Sequence, residues 1–172
     1  MKNRTLLDIA IIETLFSTGM RISELCNLKK ENVNLLDGVI RIYGKGAKER
    51  LIQIGSKDVT GILTSYENKF SKEIQQSGFY FTNPNGTPVS DQAVRRMIKK
   101  YCSMANIDMH ITPHMFRHTF ATSLLEADVD IRYIQQMLGH CSITVTELYT
   151  HVALSKQKDI LSTKHPRNEF KI

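Results

Sequence analysis

The residues most suited to chemistry are His114 and Arg117, three positions apart near the start of a predicted helix. Residues at that spacing lie on adjacent turns of one helix face, and Thr112 followed by Pro113 is typical of a helix start. A helix N-terminus offers unpaired N–H groups and a partial positive charge, so an added Arg and His favour a bound phosphate. The simpler alternative is a surface arginine beside a core histidine.

Two further cations stand beside glycines. Arg21 lies at the start of a short predicted helix, two residues after Gly19, and a glycine there permits close approach of backbone or ligand. Lys45 lies between two glycines at the tip of a predicted hairpin, with Lys48 three residues further on. A flexible lysine of this kind is suited to delivering a proton to a ligand. The alternatives are an Arg21–Glu24 ion pair and solvated turn lysines.

The C-terminal third adds a histidine and a tyrosine. His140 follows a predicted helix, where a histidine commonly interacts with the helix dipole, and Tyr149 comes nine residues later, where a lone tyrosine is usually a packing residue. His114 and His118 have the spacing of a zinc-binding helix, but Met115 stands where zinc proteases have Glu. No third ligand is obvious, so we predict no metal site.

Mostly helical elements must position these residues. Helical periodicity and capping patterns predict helices over residues 5–17, 22–29, 57–70, 91–104, 113–127, 130–138 and 142–149. The capping pattern of the first is Thr5 with Asp8. Runs rich in β-formers predict strands at 39–43, 50–54 and 79–81, the first two around a glycine-containing turn. The sequence therefore predicts an α+β fold, mostly α-helical, in one domain with a small antiparallel sheet.

Composition narrows the class of protein and its partners. The 172 residues are 41% hydrophobic and 23% charged, which is typical of a globular domain, and a net charge of +6 favours a polyanionic partner. The three cysteines form no CxxC pair, which argues against a disulfide framework and suits a reducing compartment. No apolar run approaches the length of a membrane span. The apolar stretch 5–16 is interrupted by Asp8 and Glu13, unlike a signal peptide.

Taken in order, the motifs resemble those of the tyrosine recombinase, or phage integrase, family. The matching stretches are Thr18-Gly19-Met20-Arg21-Ile22-Ser23-Glu24-Leu25, Gly44-Lys45-Gly46, His114-Met115-Phe116-Arg117-His118-Thr119-Phe120-Ala121-Thr122, Leu138-Gly139-His140, Tyr149-Thr150-His151 and the closing His165-Pro166-Arg167. The likeness covers nearly the whole chain. It implies that residues 1–172 form the catalytic domain, with its small three-stranded sheet and without the N-terminal helical clamp domain of full-length members. Residues 150–172 would be a tail that docks on a neighbouring protomer or on its own domain.

The resemblance also implies a reaction. Site-specific recombination would proceed by cleavage and rejoining of DNA strands through a 3′-phosphotyrosyl intermediate, as in mobile-element integrases, with no metal and no cofactor. The nucleophile would be Tyr149, the acid Lys45 and the phosphate clamp Arg21 and Arg117. His114 would act as base and His140 would orient the phosphate, or these two roles would be exchanged.

The implied partners are double-stranded DNA and further recombinase protomers, monomeric in solution and tetrameric on DNA. The residues expected to follow the DNA backbone are Lys48, Arg95, Arg96, Lys99 and Lys100. We expect a cytoplasmic protein encoded by a bacterium, a phage or a mobile element. The alternatives are a DNA-binding fragment without useful catalysis, a type IB topoisomerase-like enzyme and a metal-dependent hydrolase.

Overall fold

The computed structural model describes residues 2–44 and 49–139, with side chains from residue 5 onward. In chain order the elements are α1 (Lys2–Thr18), α2 (Ile22–Cys26), a 3-10 turn (Lys30–Asn32), β1 (Val33–Asn34), β2 (Val39–Tyr43), β3 (Glu49–Gln53), α3 (Lys57–Lys69), α4 (Ser71–Ser77), α5 (Asp91–Met104), α6 (Pro113–Glu126) and α7 (Ile131–Leu138). The prediction of a mostly helical α+β fold with a small antiparallel sheet is confirmed. The chain divides within α6 into two compact units, residues 1–120 and 121–172.

The sheet has three antiparallel strands in the order β1-β2-β3. Side chains alternate between its two faces, so that Ile40 and Ile42 of β2 are buried while the residues beside them are more exposed. In β3 the inward positions are Arg50 and Ile52, which pair in register with Ile42 and Ile40. A charged residue therefore occupies an inward position of the sheet.

The strand predicted at 79–81 is wrong, and the third strand is β1. Residue 79 makes only an isolated bridge to Lys29. Tyr80 and Phe81 are instead buried in an aromatic cluster with Tyr66 and Phe70, whose ring centroids lie 4.9 to 5.8 Å apart. Aromatic burial therefore accounts for the β-like composition of this stretch.

The start of α1 differs from the prediction. The helix begins at Lys2, so Thr5 lies inside it and is not its cap. Asp8 is buried and accepts a hydrogen bond from the Tyr101 hydroxyl at 3.0 Å, which shows that its partner comes from tertiary packing. The helix ends as predicted at Gly19, whose φ of 59° is a left-handed conformation that suits glycine.

Two other predicted helices have different bounds. The second was predicted over 22–29, but α2 ends at Cys26; the Leu28 N–H donates to the Leu25 carbonyl at 3.2 Å, and the Leu28 carbonyl accepts from the Tyr80 N–H at 2.7 Å. The helix predicted over 57–70 ends at Lys69, and α4 follows it without having been predicted. Ile74 is the only residue of α4 that is buried, so this segment carries no helical repeat of apolar residues.

The last three described helices follow the prediction closely. The Ser90 hydroxyl accepts a hydrogen bond from the Ala93 N–H and caps α5. Within the second unit, Asp130 caps α7 and Gly139 ends it with a φ of 68°. The helix predicted over 142–149 lies outside the described residues. No helix in the described ranges is long and apolar enough to cross a membrane.

We expect Tyr66→Phe to lower the free energy of unfolding by about 1–3 kcal/mol. The Tyr66 hydroxyl donates to the Tyr80 carbonyl and accepts from the Thr82 N–H, both at 3.0 Å, so its removal leaves two buried backbone groups without this partner. Urea unfolding at constant m-value measures the change. Tyr43→Phe, at an exposed strand position, is the control and should change stability by less than about 0.5 kcal/mol. Equal losses in both variants would contradict this account of the cluster.

Candidate functional site

The structure describes seven of the predicted site residues, all in the first unit. They are Arg21, Arg95, Arg96, Lys99, Lys100, His114 and Arg117. The other four, Lys45, Lys48, His140 and Tyr149, lie outside the described residues. The described site residues are therefore two arginines, one histidine and the basic residues of helix α5.

Arg117 is buried and bonded to a segment far away in sequence. Its side chain extends from α6, and its Nη1 donates to the carbonyl of Gly19 at 2.8 Å across a separation of 98 residues. Gly19 ends α1 and lies two residues before Arg21. The bond thus brings the start of α6 to the backbone that carries Arg21.

His114 and Arg117 differ in burial. Arg117 is 4% exposed, whereas His114 lies exposed in the first turn of α6. The alternative of a surface arginine beside a core histidine is therefore wrong, because the burial of the two residues is the reverse. His118, one turn further along α6, is also exposed. Within the ranges that the structure describes, no three His, Cys, Asp or Glu side chains form a group that could hold a metal ion.

Arg21 occupies the N-cap position of α2, and Glu24 is its partner. The Glu24 carboxylate accepts from the Arg21 backbone N–H at 2.7 Å and from its Nη1 at 3.0 Å. The Arg21–Glu24 pair considered from the sequence is therefore present. It leaves the Arg21 side chain 43% exposed, so pairing with Glu24 and access to a ligand are compatible.

Sequence reasoning missed Arg50. From β3 its Nη1 and Nη2 donate to the two oxygens of the Glu24 carboxylate at 2.9 and 2.7 Å, a forked pair in which both side chains are buried. The available signal was the alternation in β3, where Arg50 stands two residues before the inward Ile52. A charge at an inward position predicts a buried partner.

The Glu24 carboxyl group stays ionised because of its partners. Burial alone would raise its pKa, but the hydrogen bonds from Arg50 and from the Arg21 backbone, with the charge of Arg50, together lower the pKa below its ordinary value. Glu24 is thus a fixed negative charge between two guanidinium groups.

Cys26, the last residue of α2, carries a free thiol in this region. Burial, followed by the contact with Asp91, raises the pKa of its thiol to about 12. The thiol therefore stays protonated at neutral pH and is suited to packing rather than to nucleophilic attack.

Helix α5 has one buried apolar side and one basic side. Val94, Met97 and Ile98 are buried. Its exposed residues are Gln92, Arg95, Arg96, Lys99, Lys100, Ser103 and Met104, with no acidic residue among them. We call this set of exposed positions the α5 basic face. A continuous row of cations on a rigid helix fits a backbone of phosphates.

A family model and two curated proteins match this chain, and all three belong to the same family. The sequence model of the phage integrase family matches residues 2–156. The chain is 67% identical over 169 residues to a tyrosine recombinase of Agathobacter rectalis, covering 98% of this chain and 55% of that protein. It is 44% identical over 163 residues to the tyrosine recombinase XerD of Staphylococcus aureus, covering 93% of this chain and 55% of that protein.

Solved structures show the same fold. The crystal structure of the XerA recombinase superposes with a TM-score of 0.79 at 32% identity, covering 95% of this chain and 58% of that one. XerH bound to palindromic difH substrate, in a post-cleavage complex, gives a TM-score of 0.72 at 27% identity, covering 94% of this chain and 45% of that one. The chain thus spans about half the length of the proteins that it matches.

We expect the stability provided by Glu24 to be lost in acid. Because the folded pKa lies below the unfolded value of about 4.3, this stability is complete above the unfolded pKa and declines as pH falls through the folded pKa. Glu24→Gln should cost about 3 kcal/mol at pH 7, and the difference from wild type should shrink below about pH 4. Chemical denaturation across pH measures it, with the exposed Glu31→Gln as control. A difference that persists unchanged at pH 3 would contradict the assignment.

Proposed function

Because the chain belongs to the phage integrase family, we propose that it is the catalytic part of a tyrosine recombinase. In this proposal it breaks and rejoins DNA strands at a specific site through a 3′-phosphotyrosyl intermediate. The proposal includes no metal and no cofactor. The chain spans 55% of the length of these two curated relatives. The activity, substrate and partners of the whole protein are therefore proposed for it.

The observation that carries the proposal is the bond from Arg117 to the Gly19 carbonyl. It joins two of the family-like motifs that are far apart in sequence, and Arg21 follows Gly19 by two residues. Two arginines held in one region are suited to bind the non-bridging oxygens of a phosphate with charge-assisted hydrogen bonds. This supports a phosphate clamp formed by Arg21 and Arg117.

In the proposed cleavage step the phenolic oxygen of Tyr149 attacks the scissile phosphorus. The Tyr149 oxygen–phosphorus bond forms and the bond from phosphorus to the 5′-oxygen breaks. His114 takes the phenolic proton, and Lys45 gives a proton to the leaving 5′-oxygen. His140 orients the phosphate. A base is needed because a free tyrosine has a pKa near 10, so about one in a thousand is ionised at pH 7.

The rejoining step reverses this chemistry. A 5′-hydroxyl, from the same or from a partner duplex, attacks the phosphotyrosyl bond and releases Tyr149. The phosphoester bond energy is conserved, so no nucleoside triphosphate is required. As the charge on the phosphate grows in both transition states, the two arginines stabilise it most there. The loss of either one should lower the rate by about 10³-fold, as for arginine fingers in phosphoryl transfer.

DNA binding in this proposal rests on the α5 basic face together with Lys48. The exposure of its four cations, and the absence of acidic residues among the positions of that face, support contacts with the phosphate backbone. We propose that the protein is a monomer in solution and a tetramer on DNA, with residues 150–172 docking between protomers. The free thiols of Cys26 and Cys102 support a reducing compartment, the cytoplasm.

Tyr149→Phe should abolish formation of a covalent protein–DNA complex. The phenylalanine lacks the oxygen that attacks phosphorus, so no phosphotyrosyl bond can form. The chain is incubated in EDTA with a random-sequence pool of nicked duplexes whose cleaved end diffuses away, and the products are separated on denaturing gels. A linked band is expected for the wild type only.

The outcomes separate the alternatives. A band that survives Tyr149→Phe would contradict the nucleophile assignment. No band from the wild type, with salt-sensitive DNA binding intact, would favour a binding fragment without useful catalysis. Repeating the trial with a supplied N-terminal domain of a relative then distinguishes a requirement for such a domain from an inactive site.

Lys99→Gln should weaken binding to all DNA sequences alike and reduce the slope of log Kd against log salt by about 0.9. The lysine lies on the α5 basic face, and its loss removes one phosphate contact with its released counterion. Fluorescence anisotropy over a range of salt concentrations measures the slope. Lys72→Gln, an exposed lysine of α4, is the matched control, and equal slopes in the two variants would contradict the assignment of this face.

A further inference from the structure

The Glu24 carboxylate lies between Arg21 and Arg50, and each of its two oxygens accepts a hydrogen bond from each arginine. Oε1 accepts from Arg50 Nη1 at 2.9 Å and from Arg21 Nη1 at 3.0 Å. Oε2 accepts from Arg50 Nη2 and from the Arg21 backbone N–H, each at 2.7 Å. The two arginines differ in exposure, since the side chain of Arg50 is 7% exposed and that of Arg21 is 43% exposed. The Arg50 guanidinium is thus enclosed by protein, while the Arg21 guanidinium is accessible to solvent.

Stability alone does not account for this arrangement. Burial of two charges costs several kcal/mol each before their attraction is counted, and well-packed apolar residues of similar size are commonly as stable or more so. The inward position of Arg50 in β3 is one where the alternating pattern suits an apolar residue such as Ile52. A buried ion pair at this position therefore indicates a functional role in addition to packing.

We propose that Arg50 is a positioning residue for strand cleavage, which fixes the Glu24 carboxylate so that this carboxylate aligns the Arg21 guanidinium before DNA binds. The inference rests on the proposed function, in which Arg21 binds the scissile phosphate. Arg50 itself does not touch the DNA in this scheme.

The geometry gives the physical reason. The fork of Arg50 fixes the plane of the carboxylate, because each of its two nitrogens bonds one oxygen. The Arg21 side chain then bonds the carboxylate through Nη1, beside the bond from its own backbone N–H, and its exposed part is left to face a ligand. Without Arg50, the carboxylate is free to turn and form its own fork with Arg21. That fork turns the Arg21 guanidinium away from the orientation in which its exposed part meets the phosphate.

The first experiment separates positioning from stability with three variants. Arg50→Met removes the fork, Arg50→Lys keeps the charge without the planar fork, and the double variant Glu24→Leu with Arg50→Met replaces the ion pair by apolar side chains. Single-turnover formation of the covalent complex on nicked duplexes at saturating DNA gives the cleavage rate. Fluorescence anisotropy gives the Kd, and urea unfolding gives the stability.

We expect Arg50→Met to lower the cleavage rate by about 10- to 100-fold, as expected for a misplaced group, with less than about a threefold change in Kd. Arg50→Lys should recover part of the rate. The double variant should recover stability and remain slow, which a merely structural role would not predict. Recovery of the wild-type rate in the double variant would overturn the proposal. Arg41→Met, at an exposed position of the adjacent strand β2, is the control and should cleave at the wild-type rate.

The second experiment needs no catalysis and no DNA. The side-chain Nε–Hε signal of Arg21 is followed by ¹H–¹⁵N NMR and assigned by its loss in Arg21→Lys. The chemical shift of this signal should change in Arg50→Met and stay the same in Arg41→Met, because Arg50 bonds the Glu24 carboxylate that also bonds Arg21. If the wild type forms no covalent complex even with a supplied N-terminal domain, the proposed function fails, yet this signal still decides whether Arg50 positions Arg21. An unmoved signal would overturn the inference in either case.

Discussion

A guanidinium group inside a protein must be hydrogen-bonded, since an unpaired buried charge costs several kcal/mol. Arg117 meets this requirement at the carbonyl of Gly19, and Arg50 meets it at the carboxylate of Glu24. The first bond ties α6, and the second ties β3, to one short segment between α1 and the first turn of α2. Because Gly19 and Glu24 flank Arg21 in sequence, the segment that carries Arg21 is held on both sides. The most exposed of the three arginines is thereby placed by the two that are buried.

The charges of the first unit fall into two classes with different physics. The Glu24–Arg50 pair is buried, so salt screens it little, and its protonation matters because the pKa of Glu24 is lowered by its partners. The α5 basic face is exposed, so its attraction for phosphates falls steeply with salt. A change of pH into the acid range thus acts first on the architecture around Arg21, and a change of salt acts first on the DNA binding that we propose for α5. The pH response and the salt response are separable because the first belongs to the Glu24–Arg50 pair of α2 and β3 and the second belongs to α5.

Local signals predicted most helices well. Helix α5 begins and ends where its apolar repeat and the Ser90 cap indicate. Two of the errors share one cause, which is that long-range contacts decided the outcome. The run at 79–81 looks like a strand but is drawn into the aromatic cluster around Tyr66. Asp8 looks like part of a helix cap but bonds to Tyr101 across 93 residues. No pattern within a few residues contains that information.

The sequence by itself determined the fold class and the family, because periodicity, caps and an ordered set of short motifs are local properties of the chain. It also determined which residue types are candidates for the site. Only the tertiary structure decided that Arg117 is buried while His114 is exposed, and that Arg50, at an inward strand position, bonds to Glu24 across 26 residues. Helical spacing relates residues up to four positions apart, whereas the partner of a buried charge depends on which distant segments pack against it. The sequence therefore identifies the candidate site residues, and the packing of distant segments decides where they lie.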